Sequence, residues 1–292
     1  QNLGPKAQFT TSAAEGQAPF TVQFGNHSEN ADAFQWDFGD GTTSTAIAPS
    51  NTYTQSGTFT ITLTATKQGV TSGSPSTVTG SVSVRPGKLS RLSITPPTAT
   101  LDPNQLQGFS VQATDEFNNE IKGLNLEWNV VSGAGSIDAE GNLTAGTGAG
   151  SYDGGVQVGA TYLESSKIAT ANIVIRPGTL DRLELFLREI SLPVDEPLAM
   201  DFNATDQYGN EIAGVKVVWN IEKGGSINDT GVLTAGRKSG TFQDTLTAVA
   251  THAGYKQTAV ATLTVQPGTL AAVTIEPPTL RSTTLGVVAD LE

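Results

Sequence analysis

Cysteine is absent from the 292 residues. No disulfide can therefore staple the fold, and stability has to come from packed cores and strand pairing. Histidine occurs only at His27 and His252. Nucleophilic triads and zinc sites gather His with Ser, Cys or further ligands. These two instead sit in loop-like contexts of different modules, Asn26-His27-Ser28 and Thr251-His252-Ala253-Gly254, which argues against an enzyme. No run of 18 apolar residues occurs, so no segment reads as a membrane-spanning helix. The start at Gln1 has neither a charged n-region nor an apolar h-region, as expected of a chain whose signal peptide was removed or never included. No stretch keeps a helical period. The glycine runs Gly133-Ala134-Gly135 and Gly146-Thr147-Gly148 fall among predicted hairpins, so no phosphate-cradling loop opens a helix. Basic residues are scarce, 16 against 28 acidic, for a net charge of −12. Such a surface repels phosphates and argues against nucleic acid as a partner.

The acidity is spread along the chain. Residues 1–86 hold three basic and five acidic side chains, 87–177 five and nine, 178–267 seven and eleven, and the remainder one and three. That distribution fits a solvated surface better than one acidic binding patch. Gly is abundant at 32 residues, and Thr and Ser fill the alternating stretches, which suits an all-β protein with many turns. With domains usually about 100 to 150 residues, the length predicts two to four of them.

The strongest single signal is Trp36-Asp37-Phe38-Gly39-Asp40-Gly41. Phe34, Trp36 and Phe38 alternate with polar residues, then the pattern breaks into Gly-Asp-Gly, predicting a buried strand that ends in a tight hairpin. Asp37 and Asp40 could act as a carboxylate pair, but Asp before Gly in a hairpin more often accepts backbone hydrogen bonds, with Gly41 supplying positive φ. Tyr53 and Gly57 follow, then the alternating Phe59, Ile61 and Leu63. The second signal is a repeat. Arg85-Pro86-Gly87-Lys88-Leu89 recurs as Arg176-Pro177-Gly178-Thr179-Leu180 and as Gln266-Pro267-Gly268-Thr269-Leu270, at spacings of 91 and 90 residues. Within the period, Asp115 to Ile121 aligns with Asp206 to Ile212, Trp128 with Trp219, and Gly141-Asn142-Leu143-Thr144-Ala145-Gly146 with Gly231-Val232-Leu233-Thr234-Ala235-Gly236. A period near 90 is too long for a solenoid unit of about 20 to 50 residues and matches an independent sandwich with its own core. The expected division is 1–86, 87–177, 178–267, and a truncated third repeat at 268–292, where Ile275-Glu276-Pro277-Pro278-Thr279 echoes Ile94-Thr95-Pro96-Pro97-Thr98 and Leu291-Glu292 reads as a cloning scar. Residues 270–290 are expected either to stay mobile or to pair with an exposed sheet edge, including one of a neighbouring molecule, in an otherwise monomeric protein.

The Trp-Asp-Phe-Gly-Asp-Gly run, with Thr52-Tyr53 and the Gly57-Thr58-Phe59-Thr60-Ile61-Thr62-Leu63 strand, resembles the PKD domain, an immunoglobulin-like β-sandwich of surface proteins. Residues 87–267 resemble bacterial Ig-like domains of the invasin and intimin type, through Asp-x-x-Gly-Asn-Glu-Ile-x-Gly before a Trp-bearing strand and Gly-x-Leu-Thr-Ala-Gly after a hairpin. The first copy has Asn118 where the second has Gly209, and Asn tolerates the left-handed conformation that turn needs. These resemblances imply an all-β chain of three tandem immunoglobulin-like antiparallel sandwiches arranged as an elongated rod, in an extracellular or cell-surface setting, with no catalytic residue carried over.

Site expectations follow from the aligned motifs. Trp36, Trp128 and Trp219 are expected to anchor the three cores, supported in the first by Asp37, Gly39, Asp40, Gly41 and Tyr53. Pro86-Gly87 and Pro177-Gly178 are expected to set the angles between domains, since Pro fixes φ. No cofactor is expected. Asp115, Asn119, Glu120, Asp206, Asn210 and Glu211 supply oxygens of the kind Ca²⁺ takes, without the spacing of an EF-hand, so structural calcium is an open alternative there. Phe34, Tyr152, Tyr162 and Tyr255 are the rings left over for sugar contact. Asn26, Asn142, Asn203 and Asn228 open Asn-x-Ser/Thr sequons. The function expected is a non-catalytic spacer that links or presents neighbouring domains of a longer chain. Two alternatives stand beside it: an adhesin or polysaccharide-binding module with recognition on the first domain, and an accessory segment of a secreted hydrolase.

Overall fold

The computed structural model describes residues 4–69 and 74–269. Among these, strands follow one another from Phe9 to Gln266 with no helix between them. The pairings close within three sets, 9–85, 91–175 and 180–266, and each set is a two-faced sandwich with its own core. The first two sandwiches belong to one compact unit that ends at Gly178, and the third forms a unit by itself. The calls on residues 270–290 and on the final Leu291-Glu292 lie outside the described residues.

The first sandwich sets a sheet of Phe9–Thr11, Phe20–Asn26 and Ser50–Tyr53 against one of Glu15–Gln17, Ser76–Arg85, Gly57–Thr66, Ala33–Asp37 and Thr43–Ser44, each in that spatial order. Its longest strands show how sequence makes the layer. In Gly57–Thr66, Phe59, Ile61, Leu63 and Ala65 turn inward and the threonines between them outward, the period-two pattern of a sheet with one wet face. The inward set meets Val22, Phe24, Trp36, Phe38, Tyr53, Val82 and Val84 in one core.

The second and third sandwiches share a plan. A four-stranded sheet runs Thr98–Leu101, Ser165–Ile175, Gly150–Tyr162, Asn125–Val130 in the second, and Glu189–Pro193, Tyr255–Gln266, Gly240–His252, Lys216–Ile221 in the third. Each faces a two-stranded and a three-stranded sheet. The long strand pair carries a bulge at the same place, between Tyr152 and Val156 in one and Phe242 and Leu246 in the other. The cores are largely aliphatic: Leu101, Leu143, Val156, Val158 and Ile173, with Phe109, in the second, Leu183, Leu233, Leu246 and Leu263 in the third.

Among the described residues, one strand pairing in each sandwich is parallel and the others antiparallel. Glu15–Gln17 runs parallel to Ser76–Arg85, Thr98–Leu101 to Ser165–Ile175, and Glu189–Pro193 to Tyr255–Gln266. The cause is a sheet switch near the start of each set. Arg91–Thr95 pairs antiparallel with Ser110–Thr114, the chain breaks at Pro96-Pro97, and the next strand joins the opposite sheet beside the last strand. Proline cannot donate to a ladder, so the break falls where the chain leaves one sheet for the other.

Candidate functional site

The Trp36-to-Gly41 motif builds a turn around a buried indole. Trp36 is fully buried, lies 5.4 Å from the Phe9 ring and 5.5 Å from Phe24, and donates through Nε1 to the Ala46 carbonyl at 3.0 Å. Asp37 Oδ1 accepts from the Gly39 amide at 2.9 Å, and Asp40 accepts from the Thr42 amide and from Asn51 Nδ2. Burial opposes the charge on Asp40, but the bonds from Thr42 and Asn51 outweigh it and hold its carboxyl below the usual value. Gly39 has φ +78, and a Cβ there would fall 2.5 Å from the Thr60 carbonyl oxygen; only glycine fits that approach. Tyr53 is buried, stacks on Phe59 at 4.6 Å and donates to the Phe38 carbonyl at 3.0 Å. The two carboxylates thus serve the turn, each already engaged by donors.

The joint between the first and second sandwiches is organised by Asp115, only 2% exposed. Its Oδ1 accepts from the amides of Phe117 and Asn119, both at 2.9 Å. Its Oδ2 accepts from the Gly87 amide and from Asn119 Nδ2, both at 2.7 Å. Asn119, itself 4% exposed, reaches back to the first sandwich: Nδ2 also donates to the Thr54 carbonyl at 2.7 Å, and Oδ1 accepts from the Ser56 amide at 2.7 Å. Phe117 packs its ring against the core of the first sandwich. Gly87 is buried where a Cβ would meet the Ala18 carbonyl oxygen at 2.3 Å. Burial works against the charged form of Asp115, yet the bonds from Asn119, Gly87 and Phe117 prevail and hold its carboxyl below the ordinary range. A carboxylate with four N–H donors is a strong, directional latch, each charge-assisted bond contributing about 1.5–3 kcal/mol.

This arrangement separates the residues aligned as calcium candidates. Asp115 and Asn119 come together but spend their oxygens on amides. Glu120 is exposed and pairs with Lys122 at 3.2 Å. In the third sandwich Asp206 repeats the turn, accepting from the Tyr208 and Asn210 amides and from Asn210 Nδ2, with Glu211 exposed beside it. Asn118 and Gly209 occupy the same left-handed position, at φ 65 and 84. Among the described residues no group of three or more His, Asp or Glu side chains surrounds a point that could hold a metal ion. At Pro86-Gly87 the glycine makes the contact with the neighbouring groups, through its amide and the space beside it.

Trp128 and Trp219 are half-buried, unlike Trp36. Their strands, Asn125–Val130 and Lys216–Ile221, end the four-stranded sheets, whereas the Trp36 strand has a neighbour on each side. An edge position leaves one flank of the indole uncovered. Each ring lies across the glycine that opens Gly-x-Leu-Thr-Ala-Gly: a Cβ at Gly141 would fall 2.7 Å from Trp128, and at Gly231 3.0 Å from Trp219. The two aligned motifs are therefore halves of one contact that ties the four-stranded sheet to the three-stranded one. Ahead of that glycine, Asp138 accepts from Asn142 Nδ2 and from the Asn142 and Glu140 amides, which keeps its carboxyl below the usual value. Of the rings considered for sugar, Phe34, Tyr152 and Tyr162 pack onto cores and Tyr255 is exposed. His27 bonds Thr10 at 3.1 Å, and His252 closes the Gly240–His252 strand.

The chain is an array of immunoglobulin-like sandwiches. Its first domain is the recognisable member: residues 2–82 match the PKD domain family. Among solved structures it is similar to the PKD1 domain of the Vibrio cholerae metalloprotease PrtV, at 31% identity over 28% of this chain and 98% of that one, TM-score 0.24. Similarity also extends to the Escherichia coli adhesin FdeC, 16% identity over 89% of this chain and 96% of that one, TM-score 0.44, and to mouse cadherin-23 EC22-24, 14% identity over 90% and 100%, TM-score 0.39. No curated protein sequence matches the chain.

Proposed function

We propose that this segment is a non-catalytic, force-carrying spacer of an extracellular surface protein, linking or presenting the domains that flank it. The observation that carries this reading is the parallel pairing, in all three sandwiches, of an early strand with the last one. Tension applied to the two ends of such a domain pulls those strands past each other. Their hydrogen bonds are loaded in shear and must fail together, where a hairpin peeled from one end loses them singly. The Asp115 latch adds a joint in which side chains, not only a linker, connect neighbouring sandwiches. The PKD match over residues 2–82 and the tandem sandwiches support placement outside the cell.

Single-molecule pulling on the chain tethered at both ends tests this. Three separate rupture events are expected, each releasing about 300 Å of contour for roughly 90 residues at about 3.5 Å per residue. Extension of the sandwiches without resolved rupture peaks, at forces that unzip a simple hairpin, would reject the mechanical role.

A further inference from the structure

The third sandwich carries a feature that neither a spacer role nor its sister repeat calls for. A cleft of about 520 Å³ opens beside the Lys223-Gly224-Gly225 turn and the Gly236-Arg237-Lys238 turn, with Phe242 forming one wall. The ring lies directly over Gly224, where a Cβ would fall 2.6 Å away. Ser226 and Thr234, cross-strand partners, add hydroxyls to the lining. Three cations, Lys223, Arg237 and Lys238, face one carboxylate, Asp195. Asp195 engages Arg237 only through Nε, at 3.0 and 3.2 Å, which leaves the terminal guanidinium nitrogens as donors. Among the described residues neither Lys223 nor Lys238 is in an ion pair. In a chain of net charge −12 the cleft is a local positive site.

The second sandwich provides the internal comparison. Two residues beyond Val130 and Ile221, which end matching strands, stand Ser132 and Lys223; after the matching Gly146 and Gly236 stand Thr147-Gly148 and Arg237-Lys238. Tyr152 takes the place of Phe242, lies over Gly133 and donates its hydroxyl to the Gly148 carbonyl at 2.8 Å. The ring-over-glycine contact is thus shared scaffold, and the three cations are additions to it.

We propose that this cleft binds an acidic saccharide, with a uronate carboxylate held by Lys223, Lys238 and the free edge of Arg237, and a sugar face laid on Phe242. An aromatic wall suits the C–H face of a pyranose, side-chain hydroxyls suit its O–H groups, and the cations select the acidic sugar over the neutral one. A cleft open to solvent accepts an internal stretch of a polymer. The site lies on the third sandwich, not on the first domain where the adhesin alternative places recognition, and it is independent of the spacer reading.

The test is a calorimetric and NMR titration of the whole chain with a galacturonate hexamer, a neutral glucose hexamer and sodium sulfate. Expected are saturable binding of the uronate, amide shifts confined to 223–226 and 234–242, and at least tenfold weakening in K223S/R237T/K238G. That variant installs the residues found at the same places of the second sandwich, so the fold should tolerate it; K238E alone, at an exposed position, provides a second reading. Raising salt from about 50 to about 500 mM should weaken binding strongly. Equal affinity for the neutral hexamer, unchanged binding by the variants, or no saturation by the uronate would overturn the proposal. Sulfate binding as tightly as the hexamer at the same amides would reduce the site to a simple anion site and overturn the saccharide.

Discussion

The first sandwich and the two repeats use tryptophan in opposite ways. In the first, Trp36 is the centre of a ring cluster with Phe9, Phe24 and Phe38, at centroid distances of 5.4, 5.5 and 6.4 Å. In the repeats, Trp128 and Trp219 are covers laid over a hairpin glycine from the edge of a sheet, above an aliphatic core. A domain built on rings concentrates its stability in few side chains, because each aromatic buries a large area. A domain built on Leu, Ile, Val and Ala distributes it. The sharpest check is a pair of truncations in the whole chain. Trp36→Ala should cost about 4 kcal/mol, through the cavity it leaves and the lost bond to Ala46. Trp128→Ala should cost about 2 kcal/mol, since part of that ring already faces water. Urea melts followed by domain-resolved NMR measure both, and equal losses would erase the distinction.

The joint offers the next effect in size. Asn119→Ala removes three bonds at once and leaves the half-buried Thr54 carbonyl and Ser56 amide without them, for an expected loss of about 2 kcal/mol. Calorimetry should show it as a separation of the first and second transitions; transitions that stay merged would mean that Asn119 does not couple the two domains. Acid acts on the same latch. The Asp115 carboxyl is held below its ordinary 3.8, so its contribution is fully present above that value and is lost as pH falls through the lower folded value. Amide exchange at Gly87, Phe117 and Asn119 should therefore accelerate, relative to amides of the sandwich interiors, only below about pH 3.8. Acceleration already at neutral pH would mean that the carboxylate does not hold these amides.

How much of this was legible in the sequence depends on the distance over which each contact is made. The Trp36 strand and its turn were readable because alternation and Gly-Asp-Gly are local signals, and the repeat exposed two related sandwiches by self-comparison. The joint was not readable. Asp115 and Asn119 look like turn residues with spare oxygens, while their decisive partners, Gly87, Thr54 and Ser56, lie 28 to 65 residues upstream. The early strand's parallel pairing was hidden for the same reason: only the fold brings the first strand to the last. Burial of Trp128 was overestimated because the sequence marks a strand but not its place at the end of a sheet. The cationic cleft left a faint trace, since Lys223, Arg237 and Lys238 stand where the second sandwich has Ser132, Thr147 and Gly148.

The smallest effect sharpens the comparison most. Trp36 and Trp128 are both indoles, but among the described residues only Trp36 of the two has a partner for its N–H: Trp128 Nε1 is buried without one. A buried donor without a partner carries its desolvation cost uncompensated, so removing it costs little beyond lost area. Trp128→Phe should therefore change stability by less than about 1 kcal/mol, the smaller ring giving up contact over Gly141 while relieving the orphaned N–H. Trp36→Phe should cost more, about 2 kcal/mol, because it gives up the bond to Ala46 and opens space among three rings. If the two replacements cost the same in urea melts, the Trp128 indole nitrogen has a partner, and the ring is a polar anchor between the sheets instead of an apolar cover.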